Sequence, residues 1–390
     1  MKTLNKKTSV VYQKERIYYL DWLRIFAFCV LILFHSWQPF TTFNWLLSSE
    51  HKTIAADLFT VFFHTWRLHL IFFVSGVGTW LAIRSRGRYF FNDRFKRLIV
   101  PFIFGSIVIV PCQYYYQMLQ KGIDITFLDF MIGYPAFLTK QDLQFDLFLW
   151  ILEIGIHLWY LPYLFITTFI SFPLLKRINE RGIPNAFMQK LDKQPRLILI
   201  FSLPIIVAII VLKPIFPAYT SVADFFTYFF FFAYGFIFMK EHARLLPIIR
   251  ANNTILLTLG VMSSLLIINF LLIETLRNAA FNPGYNLNHI IVSIPLGLSA
   301  FSWTLYFISL FSRKFNAHGF ALAALSRIIL PLYIVHQSII VVAGFYIIKY
   351  VHYGLLEFLL IVLVTVIGSI LACNLLKMFK TTRFLFGLKN

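Results

Sequence analysis

Long apolar runs broken by short polar connectors dominate the chain, falling near 18–40, 55–83, 97–118, 146–175, 197–213, 221–239, 252–276, 289–311, 323–348 and 354–376. Most of them reach the ~20 residues that a helix needs to cross a bilayer core. A backbone surrounded by hydrocarbon must satisfy its own hydrogen bonds, so helix is the form these runs take. The pattern predicts an all-α, polytopic integral membrane bundle of about ten transmembrane helices. The run at 197–213 is short, holds Pro204 and is the weakest of the ten. No low-complexity linker divides the chain, so 1–390 reads as a single membrane-embedded domain, with 1–17 and 377–390 as basic tails.

Composition sharpens this picture. The chain is 59% hydrophobic and 13% charged, whereas a soluble domain carries nearer a quarter charged residues. A net charge of +19, from 35 Lys and Arg against 16 Asp and Glu, would suggest nucleic acid in a soluble protein. Here the basic residues sit in short connectors, where the positive-inside rule accounts for most of them without nucleic acid, and the anionic headgroups of membrane lipids or a polyphosphorylated cytoplasmic ligand are the additional partners they suit. With the N-terminus inside, the cytoplasmic segments hold 26 Lys and Arg, and the outside positions hold seven: Lys52, Arg67, Lys121, Lys140, Lys213, Arg277 and Lys349. The imbalance predicts that both termini are cytoplasmic, as in a multi-pass protein of the cell (inner) membrane. The first run is long and lacks a small-residue cleavage site, so it reads as an uncleaved span. Cys29, Cys112 and Cys373 lie inside apolar runs and imply neither a disulfide framework nor a metal site. The outside connector near 119–145 mixes Asp124, Asp129, Asp142 and Asp146 with Phe127, Phe130, Tyr134 and Phe137, which suits an ordered lid or an interfacial segment.

Ionisable groups inside spans are costly, and so informative. Asp21, Arg24 and His35 fall on the first run. Eleven residues separate Arg24 from His35, which puts them within ~20° on one helical face and roughly 16 Å apart along the axis. Taken singly, Arg24 reads as a snorkelling residue paired with Asp21, and His35 as a packing histidine. Together on one face they say more. His336 lies at a similar depth in the ninth run, Arg67 and His69 occupy the second, and Glu153 and His157 are four apart in the fourth, where one helix would align them. Four histidines, His35, His69, His157 and His336, at one depth would line a polar chamber. Arg94 and Arg97 project together from the start of the third run, a pair of guanidinium forks suited to phosphate, although positive-inside topology alone also explains them. Ser75, Gly76 and Gly78 permit close helix approach.

These blocks resemble a known family. "LDWLRIFAFCVLILFHS" carries Arg24 and His35, "LIFFVSG" follows, then the Arg94-x-x-Arg97 pair, then "HLWYLP" at His157–Pro162 and "LPLYIVHQS" around His336. Five blocks in order, over about residues 17–350, are similar to the acyltransferase family 3 of integral membrane acyltransferases, in particular to the branch of the periplasmic-glucan succinylating protein. The resemblance implies ten membrane helices and transfer of an acyl group, of the acetyl or succinyl class, from cytoplasmic acyl-CoA to a hydroxyl presented on the other side. It implies His35 as catalytic base, Arg24 as shaping the site, and Arg94 and Arg97 as holding the phosphate end of coenzyme A, with His336 in the last matching block as a further catalytic candidate. Acyl-CoA is then a donor substrate and not a permanent cofactor; the acceptor is a glycan or other envelope molecule; and no separate soluble domain is expected.

Such chemistry needs a base for the acceptor hydroxyl and donors for the oxyanion. His336, Ser75, Tyr160 or a backbone N–H near Pro162 are the oxyanion donors that the sequence offers. No Gly-x-Ser-x-Gly elbow is present, so direct transfer is expected. A transporter or flippase for a glycan or lipid-linked substrate is the alternative, and it predicts paired repeats that the sequence does not display. A b-type haem held by His157 and His336 is a third class, which a visible spectrum separates.

Overall fold

The computed structural model describes residues 17–139 and 147–388; the N-terminal tail, Lys140, Asp142 and Asp146 lie outside the described residues. All regular structure among the described residues is helical. The helices are α1 (Tyr18–Trp37), α2 (Ile54–Arg86), α3 (Phe90–Val108), α4 (Pro111–Gln120), α5 (Phe127–Thr139), α6 (Leu147–Gly155), α7 (Tyr160–Arg181), α8 (Asn185–Lys193) and α9 (Leu203–Leu212). They continue as α10 (Val222–Lys240), α11 (His242–Ala251), α12 (Asn253–Leu272), α13 (Glu274–Phe281), α14 (Leu287–Lys314), α15 (Phe320–Val351), α16 (Gly354–Leu376) and α17 (Lys380–Leu385). Nine stretches of the described residues are long and apolar enough to cross a membrane. One of them, Ile54–Gln120, covers two of the runs read in the sequence, because α2 ends at Gly87, where φ is +50° and only glycine is unstrained, before α3 begins. The weak fifth run forms a 3₁₀ segment, Pro195–Ser202, continued by α9.

The termini of the long helices follow from local chemistry. The Thr53 hydroxyl accepts from the Ala56 N–H and starts α2, and the Asn286 side chain accepts from the His289 N–H and starts α14. Within the connector that follows α4, Thr126 and Asp129 form a reciprocal cap at the start of α5. Its Phe130 and Phe137 then pack on Tyr115 and Tyr114 of α4, so the described part of this connector contains an apolar helix that packs on α4.

Packing separates a buried centre from a lipid-ready rim. In α16 only a narrow stripe is buried, Glu357, Ile361, Thr365, Ser369 and Cys373 at four-residue spacing, while Leu359, Leu363, Ile367 and Leu371 face outward. The centre is α2 against α10. A Cβ on Gly76 would lie 1.9 Å from the Phe232 carbonyl oxygen, and one on Gly235 would lie 1.9 Å from that of Phe73. The two backbones touch there through reciprocal glycines. Around this contact α1 and α14 pack on α2, and α15 packs on α1.

Two expectations change. Arg67, placed above on the second run but also counted with the outside charges, lies well inside α2 and is 2% exposed, so it leaves the outside count. The fourth run is not one helix: α6 stops at Gly155, Ile156 takes a positive φ of 43°, and Ile156–Trp159 is a 3₁₀ turn. Phe102 presses on Gly155, where a Cβ would come within 2.5 Å of its ring, so the break is fixed by packing. Glu153 and His157 therefore do not share a face.

Candidate active site

Polar groups line the bundle in three tiers. At one end α1, α2 and α3 bring together Arg24, Arg86, Arg94 and Arg97, which lie in one another's electrostatic field. Two carboxylates answer these four guanidiniums: Asp21 binds Arg24 at 3.2 Å and Asp93 binds Arg86 at 2.9 Å. The Nε and Nη2 of Arg94, the edge that forms a side-on fork, are buried without a hydrogen-bond partner among the described residues. Gly78 leaves room for Arg24, whose Nη2 passes 3.8 Å from the position of a Cβ there.

The middle tier is built from α2, α7 and α15. The Ser75 Oγ and Tyr160 hydroxyl are 2.5 Å apart, and Tyr160 lies in the field of both Arg94 and Arg24. The Tyr160 ring contacts Tyr333 at 6.0 Å between centroids, and Tyr333 reaches His336 at 5.9 Å. The Tyr333 hydroxyl donates to the His157 carbonyl.

The third tier is the histidine cluster, with His336 5.5 Å from His35 and 5.3 Å from His157 between ring centroids. Partners fix the tautomers of two of these rings. The Nε2 of His157 faces the Ile334 carbonyl at 3.0 Å, and a carbonyl only accepts, so this nitrogen carries the proton. Its Nδ1 then accepts from the Gln113 amide at 3.2 Å. The other amide hydrogen of Gln113 goes to Ser338, and its oxygen accepts from Gln337. His157 is thus saturated, and no lone pair remains for a haem iron or a proton. His336 differs. Its Nδ1 donates to the Tyr333 carbonyl at 2.7 Å, while its Nε2, an unprotonated nitrogen, is buried with no hydrogen-bond partner. The Nδ1 of His35 is likewise buried and unpartnered.

Of the sequence candidates, the structure gathers His35, His336 and His157 at one end and Arg24, Arg94 and Arg97 at the other, with Ser75 between. His69 does not join; its ring packs on Tyr228 and Phe231 at 5.1 and 4.8 Å. Glu153 turns to Tyr114, whose hydroxyl donates to the Glu153 carbonyl at 2.8 Å. The sequence reading missed Gln113, Tyr333, Gln337 and Ser338. Gln113 interrupts an apolar run as an uncharged polar residue, a signal that weighs little beside histidine and arginine.

The sequence profile described as an acyltransferase domain matches residues 17–374 of this chain. Glucans biosynthesis protein C of Escherichia coli strain SMS-3-5 is 25% identical over 167 residues, 43% of this chain and 40% of the relative. The protein of the same name from strain K12 is 24% identical over the same shares. The aligned part thus spans less than half the length of these curated relatives. No solved structure matches the chain.

Proposed function

The chain belongs to the acyltransferase-3 family, and we propose that it moves an acyl group from cytoplasmic acyl-CoA to a hydroxyl of an extracytoplasmic glycan. In this reading it is one multi-pass unit of the inner membrane with both termini in the cytoplasm. The observation that carries it is the ladder of polar groups through an apolar bundle, from the arginine tier to the histidine tier. Arg24 and His35 sit at its ends on one face of α1, roughly 16 Å apart along the helix. That separation suits the pantetheine arm joining the phosphates of coenzyme A to its thioester.

Arg94 and Arg97 hold the donor's phosphates at the cytoplasmic mouth, where the fork of Arg94 has no hydrogen-bond partner among the described residues. The arm passes Ser75 and Tyr160 and brings the thioester to His35. The acceptor hydroxyl enters from the far side, and His35 takes its proton as oxygen attacks the carbonyl carbon. The His336 ring lies 5.5 Å from that of His35, and its Nε2 has no hydrogen-bond partner among the described residues, so it is the second imidazole at the reacting centre. The acyl group is of the acetyl or succinyl class, and the name of the bacterial relatives makes a glucan the first acceptor to try.

The test is turnover of labelled acyl-CoA by the purified protein in a bilayer, with gluco-oligosaccharides as acceptor. His35→Gln keeps side-chain volume and hydrogen bonding but removes the titrating nitrogen. It is expected to lower transfer about 10²–10⁴-fold while donor binding and melting stay as in the wild type. Substantial transfer by His35→Gln removes the base assignment, and a loss of stability in step with activity returns His35 to a packing role.

A further inference from the structure

We infer that Arg67 is the group that holds the oxyanion when the acyl group is transferred. This rests on the acyl-transfer reading above and adds a catalytic residue to it.

Arg67 stands in the middle of α2 and is 2% exposed, so it cannot snorkel to a headgroup. Its guanidinium carbon lies 3.6 Å from the centroid of Phe34, the residue next to His35. Nε and Nη1 are buried without a partner, and among the described residues no hydrogen bond or ion pair is formed by any of its three nitrogens. The phenols Tyr219, Tyr228 and Tyr333 lie in its electrostatic field. Arg67, His336 and His157 all lie in the electrostatic field of His35.

A buried guanidinium without an anion is a large desolvation cost that folding alone does not repay. Such a group is retained where an anion arrives. Beside His35 the reaction itself makes one. When the acceptor oxygen attacks the thioester, a C–O bond forms, the carbonyl π pair moves onto oxygen, and the hydroxyl proton passes to His35. The new oxyanion lies one bond from the carbon under attack, within the reach of a donor flanking the base. As the intermediate collapses, the pair on oxygen re-forms the carbonyl, the C–S bond breaks, and the thiolate takes the proton from His35. The products are the ester and the free thiol of coenzyme A. Arg67 carries no proton through this cycle; it supplies fixed positive charge and N–H donors at the one moment when negative charge sits on the acyl oxygen. Ser75 and Tyr160, two of the donors the sequence offered, hydrogen-bond to each other one tier away, on the arginine side.

A second anion fits a lone guanidinium equally well: a carboxylate at the far end of a dicarboxylic acyl group. The experiment separates the two. Wild type, Arg67→Lys and Arg67→Met are assayed in lipid with acetyl-CoA and with succinyl-CoA, gluco-oligosaccharides as acceptor, alongside donor affinity and melting temperature. An oxyanion role predicts that Arg67→Met lowers kcat about 10²–10³-fold with both donors. Donor affinity and melting are expected to stay at wild-type values, and Arg67→Lys to recover part of the rate. A loss confined to succinyl-CoA makes Arg67 a reader of the acyl carboxylate and overturns the assignment. So does undiminished turnover by Arg67→Met, or a fall in melting temperature that Arg67→Lys shares. Absence of transfer by the wild type from either donor overturns the acyl-transfer reading and this assignment with it.

Discussion

His157 and His336 pack ring against ring, yet their chemistry is opposite, because each faces different carbonyls. His157 donates to Ile334 and accepts from Gln113, whereas His336 spends one nitrogen on Tyr333 and leaves the other bare. In the sequence both are single histidines in apolar runs, and nothing local distinguishes them. The break at Ile156, which aims the ring of His157 at α15, is also hidden, since a β-branched residue at positive φ runs against its own preference. The two histidines therefore answer to different measurements. His157→Ala strips partners from the Gln113 amide and the Ile334 carbonyl, each worth about 1–3 kcal/mol when buried and unsatisfied, and should lower the melting temperature sharply. His336→Gln removes a basic nitrogen that no described group hydrogen-bonds, and should slow transfer with little change in melting. Equal losses of stability in the two variants would mean that the bare nitrogen has no separate role.

At the scale of elements, the apolar runs were legible because spanning length and hydropathy are set by composition alone. What composition hides is which faces meet. Gly76 and Gly78 stand in one short motif and look interchangeable, but only Gly76 lies under a backbone: a Cβ there would sit 1.9 Å from the Phe232 oxygen, whereas the nearest atom to one on Gly78 is the mobile Arg24 tip at 3.8 Å. Gly235, on the other side of the same contact, drew no notice, because a glycine in an apolar run carries no mark of the helix it will touch. Gly76→Ala should force α2 and α10 apart at a cost of about 1–3 kcal/mol or more, seen as aggregation or early melting in detergent. Gly78→Ala should behave as the wild type. If both variants are equally well tolerated, the α2–α10 crossing is looser than the structure has it.

Across the whole molecule, positive charge does two jobs that a count along the sequence merges. Most Lys and Arg orient the spans, and so Arg67 was tallied as one more outside charge until its burial in α2 gave it a chemical setting. Arg94 and Arg97 pose the same ambiguity at the other end of the ladder: they orient α3, or they bind phosphate, or both. Geometry favours binding, because Asp93 pairs with Arg86 and leaves the Arg94 fork empty. The connector also keeps Arg84, Arg86, Arg88 and Lys96, so removing the pair should not reverse topology. Arg94→Ala/Arg97→Ala is thus expected to insert normally. Impermeant labels at positions 121 and 349 should then report the outside, and labels at 380 the cytoplasm, as in the wild type. Donor affinity should fall at least tenfold, since a charge-assisted hydrogen bond contributes about 1.5–3 kcal/mol. Turnover at saturating donor should recover, because His35 and Arg67 lie at the opposite end. Unchanged affinity for coenzyme A in the double variant would make the pair topology signals and nothing more. A label at 380 reached from outside would invert the ladder and place the arginine mouth on the wrong side for a cytoplasmic donor.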